Sequence, residues 1–84
     1  MTSKEIKIEL SSGLEARPAA MLVQVASQYE SNIYVECETK RVNAKSIMGM
    51  MTLGLAEGER VTVTANGADE EQAIEGIEKY LSNH

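Results

Sequence analysis

The stretch "GLEARPAA", residues 13–20, sets a carboxylate, Glu15, and a guanidinium, Arg17, two residues apart where Pro18 suits the first turn of a helix. A cation at a helix N-terminus opposes the dipole, so Arg17 calls for an acidic partner or ligand. A carboxylate can in principle accept a phosphoryl group as an acyl phosphate, but an exposed mixed anhydride is labile, which makes Glu15 a poor carrier. A second reactive side chain, the hydroxyl of Ser46, opens "SIMGMMTLG" at an N-cap position. Ile47, Met48 and Met51 follow it, supplying apolar, adaptable surface beside the hydroxyl. Cys37 sits in an apolar alternation and reads as a small core residue, and the only histidine, His84, ends the chain and is expected to fray. No catalytic residue, metal site or cofactor site is expected.

These residues must be held by one domain, because 84 residues build a single modest core over 1–84. With no Trp and no Phe, that core is aliphatic. Thirteen acidic against eight basic residues give a net charge of −5, which repels a phosphate backbone and disfavours direct binding of nucleic acid. No apolar run approaches a membrane span, no signal-peptide pattern opens "MTSKEIKIEL", and one cysteine suits a reducing compartment. The expected location is the cytoplasm.

Periodicity gives the order of elements. "KEIKIEL" alternates with Ile6, Ile8 and Leu10 on one face, so strand one ends near Leu10. Ala19, Leu22, Val23, Ala26 and Tyr29 recur at helical spacing, predicting helix A over about 16–28. "NIYVEC" and "KRVNA" form a hairpin around Glu38-Thr39, and a short helix from Ser46 ends at Gly54 or Gly58. "ERVTVTA" is strand four. Asp69 with Gln72 makes a capping-box variant that starts helix C, whose buried stripe is Ala73, Ile74, Ile77, Tyr80 and Leu81. The order βαββαβα, with one apolar side per element, predicts an α+β open-faced sandwich: a four-stranded antiparallel sheet with three helices on one face.

The same segments resemble a known family. "GLEARPAA", "VNAKSIMGMMTLG" and "ANGADEEQAIEGIEKYL", in this order across nearly the whole chain, are similar to the HPr family of the bacterial sugar phosphotransferase system. In its phosphocarriers the residue between Leu and Ala is a histidine that takes a phosphoryl group from enzyme I; here it is Glu15. The resemblance implies that Ser46 is the substrate of an HPr kinase/phosphorylase. It also implies that the phosphoserine form binds a LacI-type repressor, catabolite control protein A, as corepressor in carbon catabolite repression. Partner binding would then use Arg17, Ile47, Met48 and Met51. The family's Crh subgroup keeps the serine and lacks the histidine, as this chain does, although the subgroup pattern carries Gln where Glu15 stands.

Three readings of Glu15 stand side by side: a solvated turn residue, a carboxylate that partly imitates phosphohistidine charge, and an introduced replacement for histidine. The alternatives to the corepressor are a phosphocarrier in sugar uptake and a module that modulates a metabolic enzyme. The "SSG" stretch reads as a short hinge, which leaves open a homodimer formed by exchange of strand one.

Overall fold

The structure, a computed structural model, describes residues 1–9, 16–53 and 58–82, with 16–18 described as backbone alone. Seven elements follow one another: β1 Thr2–Lys7, α1 Ala16–Ser27, β2 Asn32–Cys37, β3 Lys40–Asn43, α2 Ile47–Leu53, β4 Arg60–Asn66 and α3 Glu70–Ser82. This is the expected βαββαβα order. The strands form one antiparallel sheet in the order β1-β4-β2-β3, so the α+β open-faced sandwich is what the chain adopts.

Alternation dictates which side of the sheet is covered. Ile6 pairs with Val61, and Val35 lies between Val63 and Val42, so aliphatic side chains from neighbouring rows of all four strands share one face. Ile6, Ile33, Val35, Val61, Val63 and Ala65 are buried. Against that face lie Ala19, Leu22 and Ala26 of α1, Met50 and Leu53 of α2, and Ala73, Ile74, Ile77 and Leu81 of α3. The opposite face keeps its polar rows, with Arg60 paired to Glu5 and the Arg41 guanidinium 4.2 Å over the Tyr34 ring. Cys37 packs against the core while remaining half-buried, close to its expected role.

Four local expectations are corrected. β1 stops at Lys7. Ile8 leaves the ladder but stays anchored, its N–H donating to Glu59 O at 2.8 Å and its carbonyl accepting from Gly58 N–H at 2.7 Å; Leu10 lies outside the described residues. Tyr29 falls beyond the end of α1, in the turn, and is half-buried with Val23 rather than part of the closed stripe. Tyr80 is also half-buried.

The fourth concerns Asp69. It stands at the start of α3, its carbonyl accepting the Ala73 N–H at 2.9 Å, but its carboxylate reaches across the molecule. There it accepts the Glu30 N–H at 2.9 Å, the Ser31 N–H at 3.0 Å and the Ser31 hydroxyl. Asp69 satisfies two N–H groups of this turn, which fixes the α1–β2 connection against α3. Glu70 performs the reach-back, taking the Gly67 N–H at 3.2 Å with one oxygen and the Thr2 hydroxyl at 2.5 Å with the other.

These bonds stabilise the ionised carboxylates. The Ser31 hydroxyl, then the Glu30 N–H, hold Asp69 below its ordinary range. The Thr2 hydroxyl, then the Met1 amino group and the Gly67 N–H, bring Glu70 from 4.5 down to about 2. A depressed carboxyl pKa contributes stability that is present above the unfolded value and is lost as pH falls through the folded one. The midpoint of urea unfolding is therefore expected to drop between pH 4.5 and about 2. The Asp69→Asn, Glu70→Gln double variant is expected to be less stable near neutral pH and to fall less steeply in that window. An unchanged slope in the double variant would show that other carboxyls carry the acid sensitivity.

Candidate functional site

Ser46 is positioned by a turn that leaves the sheet and enters α2. The Ala44 N–H donates to Ile33 O at 2.9 Å and Ala44 is buried, so the turn is fastened to β2. Asn43 then folds the chain twice: its Oδ1 accepts the Lys45 N–H at 2.8 Å and its carbonyl accepts the Ser46 N–H at 3.0 Å. Short side-chain acceptors of this kind favour turns over continued strand. Ser46 next supplies the first helical acceptor, its carbonyl taking the Met50 N–H at 2.9 Å. Its Oγ takes the Gly49 N–H at 3.2 Å. The serine is thus the N-cap expected of it, with its oxygen on one of the donors that a helix start leaves without an intrahelical acceptor.

Gly49 stands beside that oxygen: a Cβ at position 49 would meet Ser46 Oγ and Val42 Cβ at 3.4 Å, about van der Waals contact. Ser46 itself is half-buried.

Helical geometry sorts the following residues into two faces. Met50 and Leu53 point into the core. Ile47, Met48 and Met51 point outward and are 37%, 77% and 49% exposed. Of the four residues assigned to partner binding by the resemblance, the three on α2 are therefore on the surface beside Ser46. Arg17 lies in the first turn of α1, whose described first turn carries no acidic residue. Glu15 lies outside the described residues, as do the "SSG" stretch and His84.

Sequence reasoning missed Met21, which is 48% exposed. The signal was available: Met21 falls off the buried stripe of Ala19, Leu22 and Ala26 and stands one turn from Arg17, on the same side of α1. Reasoning also passed over Lys45, whose Nζ donates to Tyr29 O at 2.6 Å. Partial burial, then the Glu38 and Glu59 carboxylates, push the Cys37 thiol up from 9.0, which disfavours the nucleophilic thiolate. Among the described residues no cluster of three His, Cys, Asp or Glu side chains could hold a metal ion, and no helix is long and apolar enough to cross a membrane.

Comparison with known proteins places this geometry. The family described as "PTS HPr component phosphorylation site" matches residues 2–83. The HPr-like protein Crh of Bacillus subtilis is 43% identical over 81 residues, covering 96% of this chain and 95% of Crh. Among solved structures, HPr-C-His from Thermoanaerobacter tengcongensis superposes with a TM-score of 0.92 at 48% identity, covering 96% of this chain and 91% of that one. The crystal structure of Bacillus subtilis Crh, described as a dimer with a swapping domain, gives a TM-score of 0.76 at 44% identity over 95% of this chain and 92% of that one. The chain belongs to the HPr family and fits its Crh subgroup; it is an HPr-like regulatory or phosphocarrier protein.

The two faces of α2 predict different costs of truncation. Met50→Ala removes a buried side chain and is expected to destabilise by about 2–5 kcal/mol. Met48→Ala and Met51→Ala are expected to change stability by less than about 1 kcal/mol, and Ser46→Ala to cost about 1 kcal/mol through the lost cap. Chemical denaturation of the four variants checks this. Losses of several kcal/mol at positions 48 and 51 would mean that those methionines are core.

Proposed function

We propose that this chain is a regulatory HPr-like protein, phosphorylated on Ser46 by an HPr kinase/phosphorylase and acting with a LacI-type catabolite control protein A as corepressor in carbon catabolite repression. It works in the cytoplasm, and it reaches DNA only through the repressor. The observation that carries this reading is the Ser46 hydroxyl, fixed at the N-cap of α2 by the Gly49 N–H and with Ile47, Met48 and Met51 exposed beside it. The likeness to Crh proteins supports the same assignment.

The chemistry suits the position. Ser46 Oγ attacks the γ-phosphorus of ATP; the new P–O bond forms as the bond to the ADP oxygen breaks, and the hydroxyl proton passes to a base of the kinase. The phosphate keeps an oxygen where the Gly49 N–H already donates, so α2 retains its cap while about two negative charges appear at its start, where the dipole favours them. The fold is kept and the surface is changed. Apolar anchors next to a new charge form the kind of patch from which an interface draws most of its energy, with Met48, Met51 and Arg17 as its expected centres.

Glu15 has a matching role on α1's side. Phosphocarrier chemistry in this family needs the imidazole nitrogen, and at this position the chain carries a carboxylate. The protein is accordingly a binding partner and not an enzyme or a carrier. Self-association by exchange of β1 accompanies this reading, supported by the swapped dimer described for Bacillus subtilis Crh.

One pair of incubations tests the assignment. The kinase with ATP is expected to label the chain, and Ser46→Ala to abolish both labelling and phosphate-dependent repressor binding. Enzyme I with phosphoenolpyruvate is expected to leave the chain unlabelled, whereas Glu15→His gains an acid-labile phosphoryl group. Full repressor binding by Ser46→Ala, or labelling of the unaltered chain by enzyme I, would overturn the corepressor reading.

A further inference from the structure

We infer that Lys45 is a sensor of the charge at Ser46: its ammonium, held on the Tyr29 carbonyl in the unmodified protein, moves to a phosphate on Ser46 and releases the turn between α1 and β2. The inference rests on the reading of Ser46 as a phosphoacceptor and adds the internal response to that modification.

The unmodified arrangement is direct. Lys45 is half-buried, and its Nζ donates to Tyr29 O at 2.6 Å across sixteen residues of sequence. Its backbone cannot drift, because the Lys45 N–H is on Asn43 Oδ1 and the next N–H, that of Ser46, is on Asn43 O. Only the flexible stem of the side chain is free to choose between acceptors. Adjacent Cα atoms stand about 3.8 Å apart, so a phosphate on Ser46 comes within reach of the same ammonium. The competition is unequal. A carbonyl is a neutral acceptor, whereas a phosphate brings close to two negative charges, and hydrogen bonds between ionised partners are roughly twice as strong as neutral ones. Partial burial limits the screening that would level this difference.

What Lys45 leaves behind is weakly held. At this end of α1 the Gln28 N–H reaches Val25 O at 3.2 Å and the Tyr29 N–H reaches Ala26 O at 3.2 Å, both long and both of the tighter three-residue type. Beyond Tyr29 the chain is pinned again, with the Glu30 and Ser31 N–H groups on Asp69 and Ser31 only 1% exposed. Tyr29 therefore hangs between a frayed helix end and a fixed anchor, and the Lys45 ammonium steadies it there. Its ring carries any movement outward: the hydroxyl lies where a side chain at Gly76 would begin. With Gln72, Glu75, Gly76 and Lys79 of α3 the ring lines an open cleft of about 240 Å³. The start of α2 and the outer face of α3 are in this way joined through one lysine.

The test uses the full chain with phosphoserine installed at position 46 during translation, beside the unmodified chain and Lys45→Met in both forms. The Tyr29 carbonyl ¹³C shift and the hydrogen exchange of the Tyr29 amide are read by NMR. Phosphoserine is expected to move the Tyr29 carbonyl shift and to speed exchange at the Tyr29 amide several-fold. Unmodified Lys45→Met is expected to show that displaced state already, with no further change on modification. A Tyr29 carbonyl shift and Tyr29 amide exchange unaltered by phosphoserine would overturn the inference, and so would an equal response in Lys45→Met. The parent chain alone decides the first point if the variant fails to fold. Because the phosphate is installed and not added by the kinase, a kinase that ignores Ser46 would defeat the corepressor reading without touching this result.

Discussion

Everything in the molecule is hung on β4, the strand that pairs with both β1 and β2 and joins the chain's first strand to its hairpin. Its inward residues Val61, Val63 and Ala65 are almost wholly buried, and their partners are Ile6, Val35 and Ile33. Side chains alternate with period two, so slipping β4 by one residue would turn Thr62 and Thr64 toward the helices and strand three aliphatic residues in water. That single register decides which face the helices cover. It also decides where Ser46 stands, because the β2–β3 hairpin hangs from β4 and the turn into α2 is fastened to β2 through Ala44. A serine at the cap of a short helix gains a fixed address from a sheet it does not belong to.

Much of this was legible in the residues, for physical reasons that can be named. Alternation in "KEIKIEL", "NIYVEC" and "ERVTVTA" marks strands because each has one wet face, and the spacing of Ala73, Ile74, Ile77 and Leu81 marks a helix with one dry stripe. Ser46 as a cap is a local matter, whereas the inward pair of α2, Met50 and Leu53, was settled only by its packing on the core. Asp69 was misjudged because local spacing offers it a cap, while its real acceptor role depends on Glu30 and Ser31, 38 or more positions away. The Lys45 to Tyr29 bond was equally invisible. It depends on the packing of α1 against α2, and no pattern in "NAKS" announces it.

The short helix also explains how the charge proposed for Ser46 could be added without endangering the fold. Seven residues are too few to be helical alone in water. α2 is ordered by the burial of Met50 and Leu53, by Ser46 at one end and by contacts at the other, where Lys40 Nζ approaches Thr52 O at 3.4 Å. Because its order comes from the core side, its outer side is free to be chosen for other ends. A serine that caps as an acceptor can be replaced by a phosphate that caps as an acceptor, leaving the inward contacts as they were. Methionines exposed on that outer face cost solubility and add nothing to the core, yet their flexible, polarisable side chains repack against differently shaped partners. Shape on this surface is permissive, so under the proposed reading discrimination between partners comes from charge, and the charge that changes is the one at Ser46.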